Sequence, residues 1–121
     1  MEKITLVLGA SPDPGRYSNK AVRSLKNKNI PVIAIGKREG YIDDLKIIKG
    51  LPDNLGPVHT VGLYLNAFNQ KEYYCYILSL NPKRVIFNPG TENDEFAELL
   101  ADEGIEVVSG CMLVMLACGQ F

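Results

Sequence analysis

The chain predicts an α/β fold, a doubly wound parallel sheet of about five strands with helices on both faces. Three observations predict it. Short continuous apolar runs at residues 3–8 (KITLVL), 32–35 (VIAI) and 84–87 (RVIF) read as strands buried on both sides. Stretches with apolar residues at helical spacing alternate with these runs. The connections between them are short and rich in Gly, Pro, Asn and Ser. At 121 residues, 46% hydrophobic and 22% charged, the chain fits one domain over residues 1–121. At this length neither a two-domain enzyme nor a dehydrogenase with separate cofactor and substrate domains is expected.

The elements follow in order. Lys3 to Leu8 is the first strand, ending at Gly9. Ala10-Ser11-Pro12-Asp13-Pro14-Gly15 is loop chemistry. Ser18 is an N-cap candidate for a helix to about Asn29, with Ala21, Val22 and Leu25 inward and Lys20, Arg23 and Lys26 toward water. Pro31 punctuates before the second strand, Val32 to Ile35, which ends at Gly36. Lys37 to Pro57 is irregular, with Lys46-Ile47-Ile48 as a short strand. Thr60 to Leu65 is a further strand. Tyr73, Tyr76, Ile77 and Leu80 fall at i, i+3, i+4 and i+7 and predict a helix over 70–80, ended by Asn81-Pro82.

Arg84 to Phe87 is followed by Asn88-Pro89-Gly90. Thr91 and Asp94 have the spacing of a capping box, and Phe96, Leu99 and Leu100 give the next helix its buried stripe, with Gly104 as its C-terminal cap. Ile105 to Val108 is the last strand and Cys111 to Ala117 a closing helix.

Composition narrows the function. The formal net charge is -1, so no overall basic field favours nucleic acid or an anionic membrane. No segment approaches the roughly 20 apolar residues of a membrane span. The start, Met1-Glu2-Lys3, lacks the longer apolar region and cleavage site of a secretory signal. Three cysteines, Cys75, Cys111 and Cys118, form no disulfide framework or zinc motif. The expected location is the cytoplasm.

In a doubly wound sheet, ligands bind beyond the carboxyl ends of the strands, where strand order reverses. After the first strand, Gly9 permits a sharp turn, Ala10 lets a phosphate approach the backbone, and Ser11 offers a hydroxyl. The helix near Ser18 points free N–H groups into the same space, and Arg16 adds a guanidinium suited to phosphate oxygens. The same residues also suit a plain Gly/Pro turn with an N-cap serine, and Gly9 and Gly15 alone are not a G-x-G-x-x-G fingerprint.

At the second strand end a classical NAD site carries an acidic residue for the ribose hydroxyls. This chain has Lys37-Arg38 there. Two cations suit an extra phosphate on the adenosine ribose, as in coenzyme A or NADP, and disfavour NAD; solvated loop charges are the plainer alternative. The other strand ends are Tyr64-Leu65-Asn66, Asn88-Pro89-Gly90 and Ser109-Gly110-Cys111. His59 lacks companions at metal-ligand spacing and reads as structural or exposed. Asp43-Asp44 lies in the irregular stretch, away from where a phosphoacceptor cluster belongs. Cys111 precedes a helix whose dipole would lower a thiol pKa, but it also fits a small half-buried residue, and Cys75 and Cys118 read as packing residues. Tyr73, Tyr74 and Tyr76 are explained by packing.

Together these residues resemble the small stand-alone CoA-binding proteins, related to the CoA-binding domain of the succinyl-CoA synthetase α subunit. The matching pattern is Gly9-Ala10-Ser11-Pro12, Arg16-Tyr17-Ser18 with Val22 and Leu25, and Pro31-Val32-Ile33-Ala34-Ile35 with Lys37 behind it. It continues through Leu51-Pro52, Tyr64-Leu65, Val85-Ile86-Phe87-Asn88-Pro89-Gly90, Glu92 to Leu100, and Ile105-Glu106-Val107-Val108 with Cys111. The resemblance implies a Rossmann-like sheet holding CoA across its strand ends. Gly9, Ala10, Ser11, Arg16, Tyr17 and Ser18 would surround the phosphates. Lys37, with Arg38 beside it, would lie near the 3′-phosphoadenosine. Tyr64, Leu65 and Asn66, with Asn88, Pro89 and Gly90, would line the remainder.

The chain departs from this pattern in two places. Ile35-Gly36 stands where many members carry Asn-Pro, and Leu65-Asn66 where a hydrophobic-aromatic-arginine pattern is usual. The synthetase's phosphohistidine loop and nucleotide-grasping partner have no counterpart here. The expectation is a non-catalytic module holding CoA or an acyl-CoA, working as a homo-oligomer or with a partner enzyme. Two alternatives stand beside it. One is an NADP-linked redox module or small enzyme, with His59, Asp43, Asp44 or Cys111 as its acid or base. The other is a ligand-free fold of this type used as an interaction surface.

Overall fold

Five parallel strands form the central sheet of the computed structural model, which describes residues 3–121. In chain order they are β1 (Ile4–Leu8), β2 (Val32–Ile35), β5 (Val58–Leu63), β6 (Arg84–Phe87) and β7 (Glu106–Ser109). Their spatial order is β2-β1-β5-β6-β7, and every pair is parallel. The chain leaves β1 for β2 on one side and returns to β5 on the other. Strand order therefore reverses between β1 and β5, which places the crevice of the fold above those two strands.

Side chains alternate across the sheet and divide the core in two. Leu6, Leu8, Val61, Leu63, Val85 and Phe87 pack under α3 (Tyr74–Leu80) and α4 (Asp94–Asp102), against Ile77, Phe96 and Leu100. Val7, Ala34 and Ile86 pack under α1 (Tyr17–Asn27) and α5 (Met112–Ala117), against Val22, Leu25, Met112 and Leu116. Helices cover both faces, as the alternating pattern requires.

The irregular segment resolves into an antiparallel hairpin, β3 (Gly40–Ile42) and β4 (Leu45–Ile47). Its tight turn holds Asp43 in the left-handed region at φ 54°. Ile42 and Ile47 turn inward to the α1 face. Beyond β4 the chain bonds to the edge of β2, the N–H of Ile48 to the Ala34 carbonyl at 2.8 Å and the N–H of Gly36 to the Ile48 carbonyl at 3.0 Å. The Lys26 ammonium pairs with the Asp44 carboxylate, which ties the hairpin turn to α1 and holds that carboxyl below the usual range.

Several boundaries differ from the sequence expectation, each for a local reason. α1 begins at Tyr17, and the backbone of Arg16, not the Ser18 side chain, takes the N-cap position; Ser18 is buried within the first turn. Arg23 is not turned out to water. Its Nε donates to Asn19 Oδ1 at 2.8 Å and its Nη2 to the Pro14 carbonyl at 3.0 Å. The helical stretch before Asn81 starts earlier, as α2 (Ala67–Gln70), and is interrupted by a 3₁₀ turn at Lys71–Tyr73. Asn66 caps α2 by accepting from the N–H of Asn69.

The cap of α4 is Asn93, which accepts from the N–H of Phe96 at 3.1 Å. The Thr91 hydroxyl donates instead to the Asn88 carbonyl at 2.7 Å, so the capping box does not form. Leu99 is exposed, and so are Cys75 and Cys118, because the buried face of each helix falls on their neighbours Leu100, Ile77 and Leu116. Tyr74 stacks on Phe96 of α4 with ring centroids 4.3 Å apart, while the Tyr76 hydroxyl donates to the Pro52 carbonyl at 2.7 Å. Met1 and Glu2, the start of the segment read as lacking a secretory signal, lie outside the described residues.

Candidate functional site

A cavity of about 490 Å³ opens above the reversal of strand order. This is within the range of small-molecule sites. Three loops meet around it, those following β1, β5 and β6, together with the start of the β2–β3 connection.

The loop after β1 forms the floor. Gly9 has φ 94°, and a Cβ there would lie 3.0 Å from the carbonyl carbon of Tyr64, so only glycine lets the β1 and β5 loops approach this closely. The loops after β1 and β2 meet just as closely. A Cβ on Gly36 would lie 2.2 Å from the Ala10 carbonyl oxygen. This contact brings Lys37 and Arg38 to the same cavity as Ser11 and Arg16.

One expectation for the floor is corrected. The N–H groups of Gly9 and Ala10 are not open to an anion, since both donate to the Ile35 carbonyl at 2.9 Å. The donors left for a ligand come from farther along the loop. The first helical bond of α1 runs from the N–H of Lys20 to the Arg16 carbonyl. The N–H groups of Tyr17, Ser18 and Asn19 therefore have no helical acceptor and lie at the positive end of an 11-residue helix. The Ser11 oxygen accepts from the N–H of Asp13 at 3.1 Å, leaving its own proton to donate. Asn19, buried, holds the loop by donating to the Ser11 carbonyl at 2.9 Å.

Arg16, Lys37 and Arg38 are exposed at the cavity's edge, and Tyr17 stands beside them with the Lys20 ammonium 5.3 Å from its ring centre. These cations all stand on the β1 and β2 side. The opposite side, built by Tyr64, Leu65 and Asn66 with Pro89, Gly90 and Thr91, carries no charged side chain. Tyr64 has its hydroxyl buried with no hydrogen-bond partner among the described residues, and burial, reinforced by the neighbouring Cys111 thiol, pushes its titration far up.

The structure brings together all of the sequence-derived candidates except Asn88. Asn88 is buried below the cavity. Its Nδ2 donates to the Leu63 carbonyl at 3.0 Å and its Oδ1 accepts from the N–H of Met112 at 2.9 Å, so it joins β5, β6 and α5. Thr91 takes a place on the cavity that the sequence reading did not give it. The signal for it was its position one residue past the Pro89-Gly90 turn. The residues named for an alternative redox chemistry lie elsewhere. His59 is at the opposite end of β5, Asp43 and Asp44 form the hairpin turn, and half-buried Cys111 is the N-cap of α5 outside the cavity lining. No helix among the described residues is long and apolar enough to cross a membrane.

The fold and cavity define a class, the doubly wound α/β domain with a crevice at its strand ends. The family model described as "CoA binding domain" matches residues 3–117, and the chain belongs to that family. A crystal structure of an uncharacterized protein is 50% identical, covers 100% of this chain and 99% of its own, and superposes with a TM-score of 0.95. A hypothetical protein from Pyrococcus horikoshii OT3 is 25% identical over 93% of this chain and 80% of its own, with a TM-score of 0.82. A Thermus thermophilus protein shares the fold at a TM-score of 0.87 and 24% identity, over 99% and 91% of the two chains. The search of curated proteins gave no match.

The donor set fits the ligand in the family's name. CoA is a chain of three phosphate groups and an adenosine joined to a long uncharged arm. Three cations, a hydroxyl and a helix N-terminus occupy one side of the cavity, and uncharged loops the other.

Proposed function

We propose that this protein binds CoA, or an acyl-CoA, across the carboxyl ends of β1, β5 and β6 without itself reacting with it. In this reading Lys37 and Arg38 contact the 3′-phosphate. Arg16, the Ser11 hydroxyl and the open amides at the start of α1 receive the pyrophosphate. The arm then runs over the uncharged loops 64–66 and 89–91. The observation that carries the reading is the one-sided placement of charge, all of it on the β1 and β2 side of a single cavity. A ligand anionic at one end and neutral along the rest matches that division.

Isothermal calorimetry tests it. CoA is expected to bind more tightly than dephospho-CoA, and the double variant Lys37→Ala, Arg38→Ala to lose that preference. A charge-assisted phosphate contact is worth on the order of 1.5–3 kcal/mol, about tenfold to a hundredfold in affinity. Equal affinities of the parent protein for the two ligands would remove the role of the two cations. Saturable binding of NADPH without any response to CoA would replace the reading altogether.

A further inference from the structure

Gln70 is fully buried at the end of α2, and the short helix gives no reason for a glutamine there. All of its amide is used between loops. Nε2 donates to the Leu65 carbonyl at 2.8 Å and to the Thr91 carbonyl at 2.7 Å. Oε1 accepts from Nδ2 of Asn93 at 2.9 Å. Asn93 Nδ2 also donates to the Tyr74 hydroxyl at 2.7 Å, which donates in turn to a carboxylate oxygen of Glu95 at 3.0 Å. One side chain therefore spans the two uncharged loops of the cavity, and a chain of bonds from α4 fixes its orientation. A buried amide with every donor in use holds its geometry closely, because each lost bond would strand a polar group without water.

We infer that Gln70 is a positioning residue that sets the gap between loops 64–66 and 89–91, and so governs which uncharged arm the cavity admits. Its hydrogen bonds to cavity residues go to their backbone carbonyls, and it acts through them. The inference rests on the proposed course of CoA over these loops. It goes further in assigning selectivity for the arm to a residue outside the cavity lining.

The test compares CoA with adenosine 3′,5′-bisphosphate, which keeps the adenosine, the 3′-phosphate and the first phosphate of the pyrophosphate and lacks the arm. In Gln70→Leu, affinity for CoA should fall at least tenfold while affinity for the bisphosphate stays within twofold. A general loss of structure would weaken both ligands together and leave their ratio unchanged. Asn93→Ser provides a milder variant if Gln70→Leu fails to fold. Serine keeps an N-cap acceptor for α4 but removes both Nδ2 donations. It should lower the ratio of CoA to bisphosphate affinity about threefold. An unchanged ratio in the folded variants overturns the inference and leaves CoA binding standing. Failure of the parent protein to bind either ligand overturns both.

Discussion

On the β5 and β6 side of the cavity, buried side chains hold the backbone. Gln70 spans two loops, Asn88 ties β5 to α5, and the Thr91 hydroxyl closes the turn after β6. On the β1 and β2 side buried Asn19 also donates to the Ser11 carbonyl, but the two loops meet each other by close approach, with Gly36 against the Ala10 carbonyl, and exposed cations lie beyond that contact. Every charged side chain from Glu92 to Glu106 is acidic, which leaves the far side of the molecule unattractive to phosphates. Under the proposed function the difference follows from what each side would hold. Exposed cations reach an anion through several rotamers and stay hydrated until it arrives. An uncharged arm offers little attraction, so the loops beside it must already be in place.

Replacing Asn88 with alanine should break the wired side and produce the largest effect. It strands the Leu63 carbonyl and the Met112 N–H in a buried region, each group costing about 1–3 kcal/mol. Denaturant unfolding should show a loss of about 2–5 kcal/mol. A loss under about 1 kcal/mol would mean that water or a shifted backbone satisfies these groups, and that this side is no more tightly held than the other.

Gly36→Ala addresses the charged side. The added Cβ meets a carbonyl oxygen of the neighbouring loop and not the end of a flexible side chain. Overpacking of this kind costs about 1–3 kcal/mol. The loops after β1 and β2 should separate, weakening CoA binding as well as stability. Loss of stability with CoA affinity intact would show that the cations compensate by their own reach, which sharpens the contrast. Retention of both would show that the close contact is dispensable.

The sheet and its ligand-side loops were legible for one physical reason. Parallel strands buried on both faces leave uninterrupted apolar runs, and the loops that carry a ligand follow directly after them. Lys37 and Arg38 were visible because their type contradicts an NAD site at that position. Of the hairpin at 40–47 only the second strand was visible, as Lys46-Ile47-Ile48; the pairing was not, since its turn is Ile42-Asp43-Asp44-Leu45 and lacks the Asn-Gly or Asp-Gly signal. The amides of Gly9 and Ala10 looked open because their acceptor, the Ile35 carbonyl, is 25 residues or more away in the chain. Gln70 read as one more polar residue at a helix start. Its burial depends on loops 65 and 91 closing over it, and neither lies in its local sequence pattern.

The smallest effect concerns the base of the uncharged side, where His59 sits at the end of β5 opposite the cavity. Its Nδ1 lies 2.7 Å from the Thr60 hydroxyl oxygen, which also accepts from Arg84 Nε at 2.8 Å. The hydroxyl proton is free to go to an unprotonated Nδ1, an arrangement open to neutral histidine. Burial, followed by the positive charges of Lys3, Arg84 and Lys83, holds the folded pKa below the ordinary 6.5, against a weaker opposite pull from Glu106. As pH falls through about 6.5, the unfolded chain binds this proton first. The contribution of His59 to stability is therefore complete above that pH and is lost as pH falls through the lower folded value. Unfolding measured from pH 7.5 to 5 should show the parent losing stability relative to His59→Gln, while their CoA affinities stay equal at each pH. Parallel stability profiles would mean that His59 is protonated as freely in the fold as in the open chain. A change in CoA affinity would show that the two ends of β5 are coupled and that the wired side extends through the sheet.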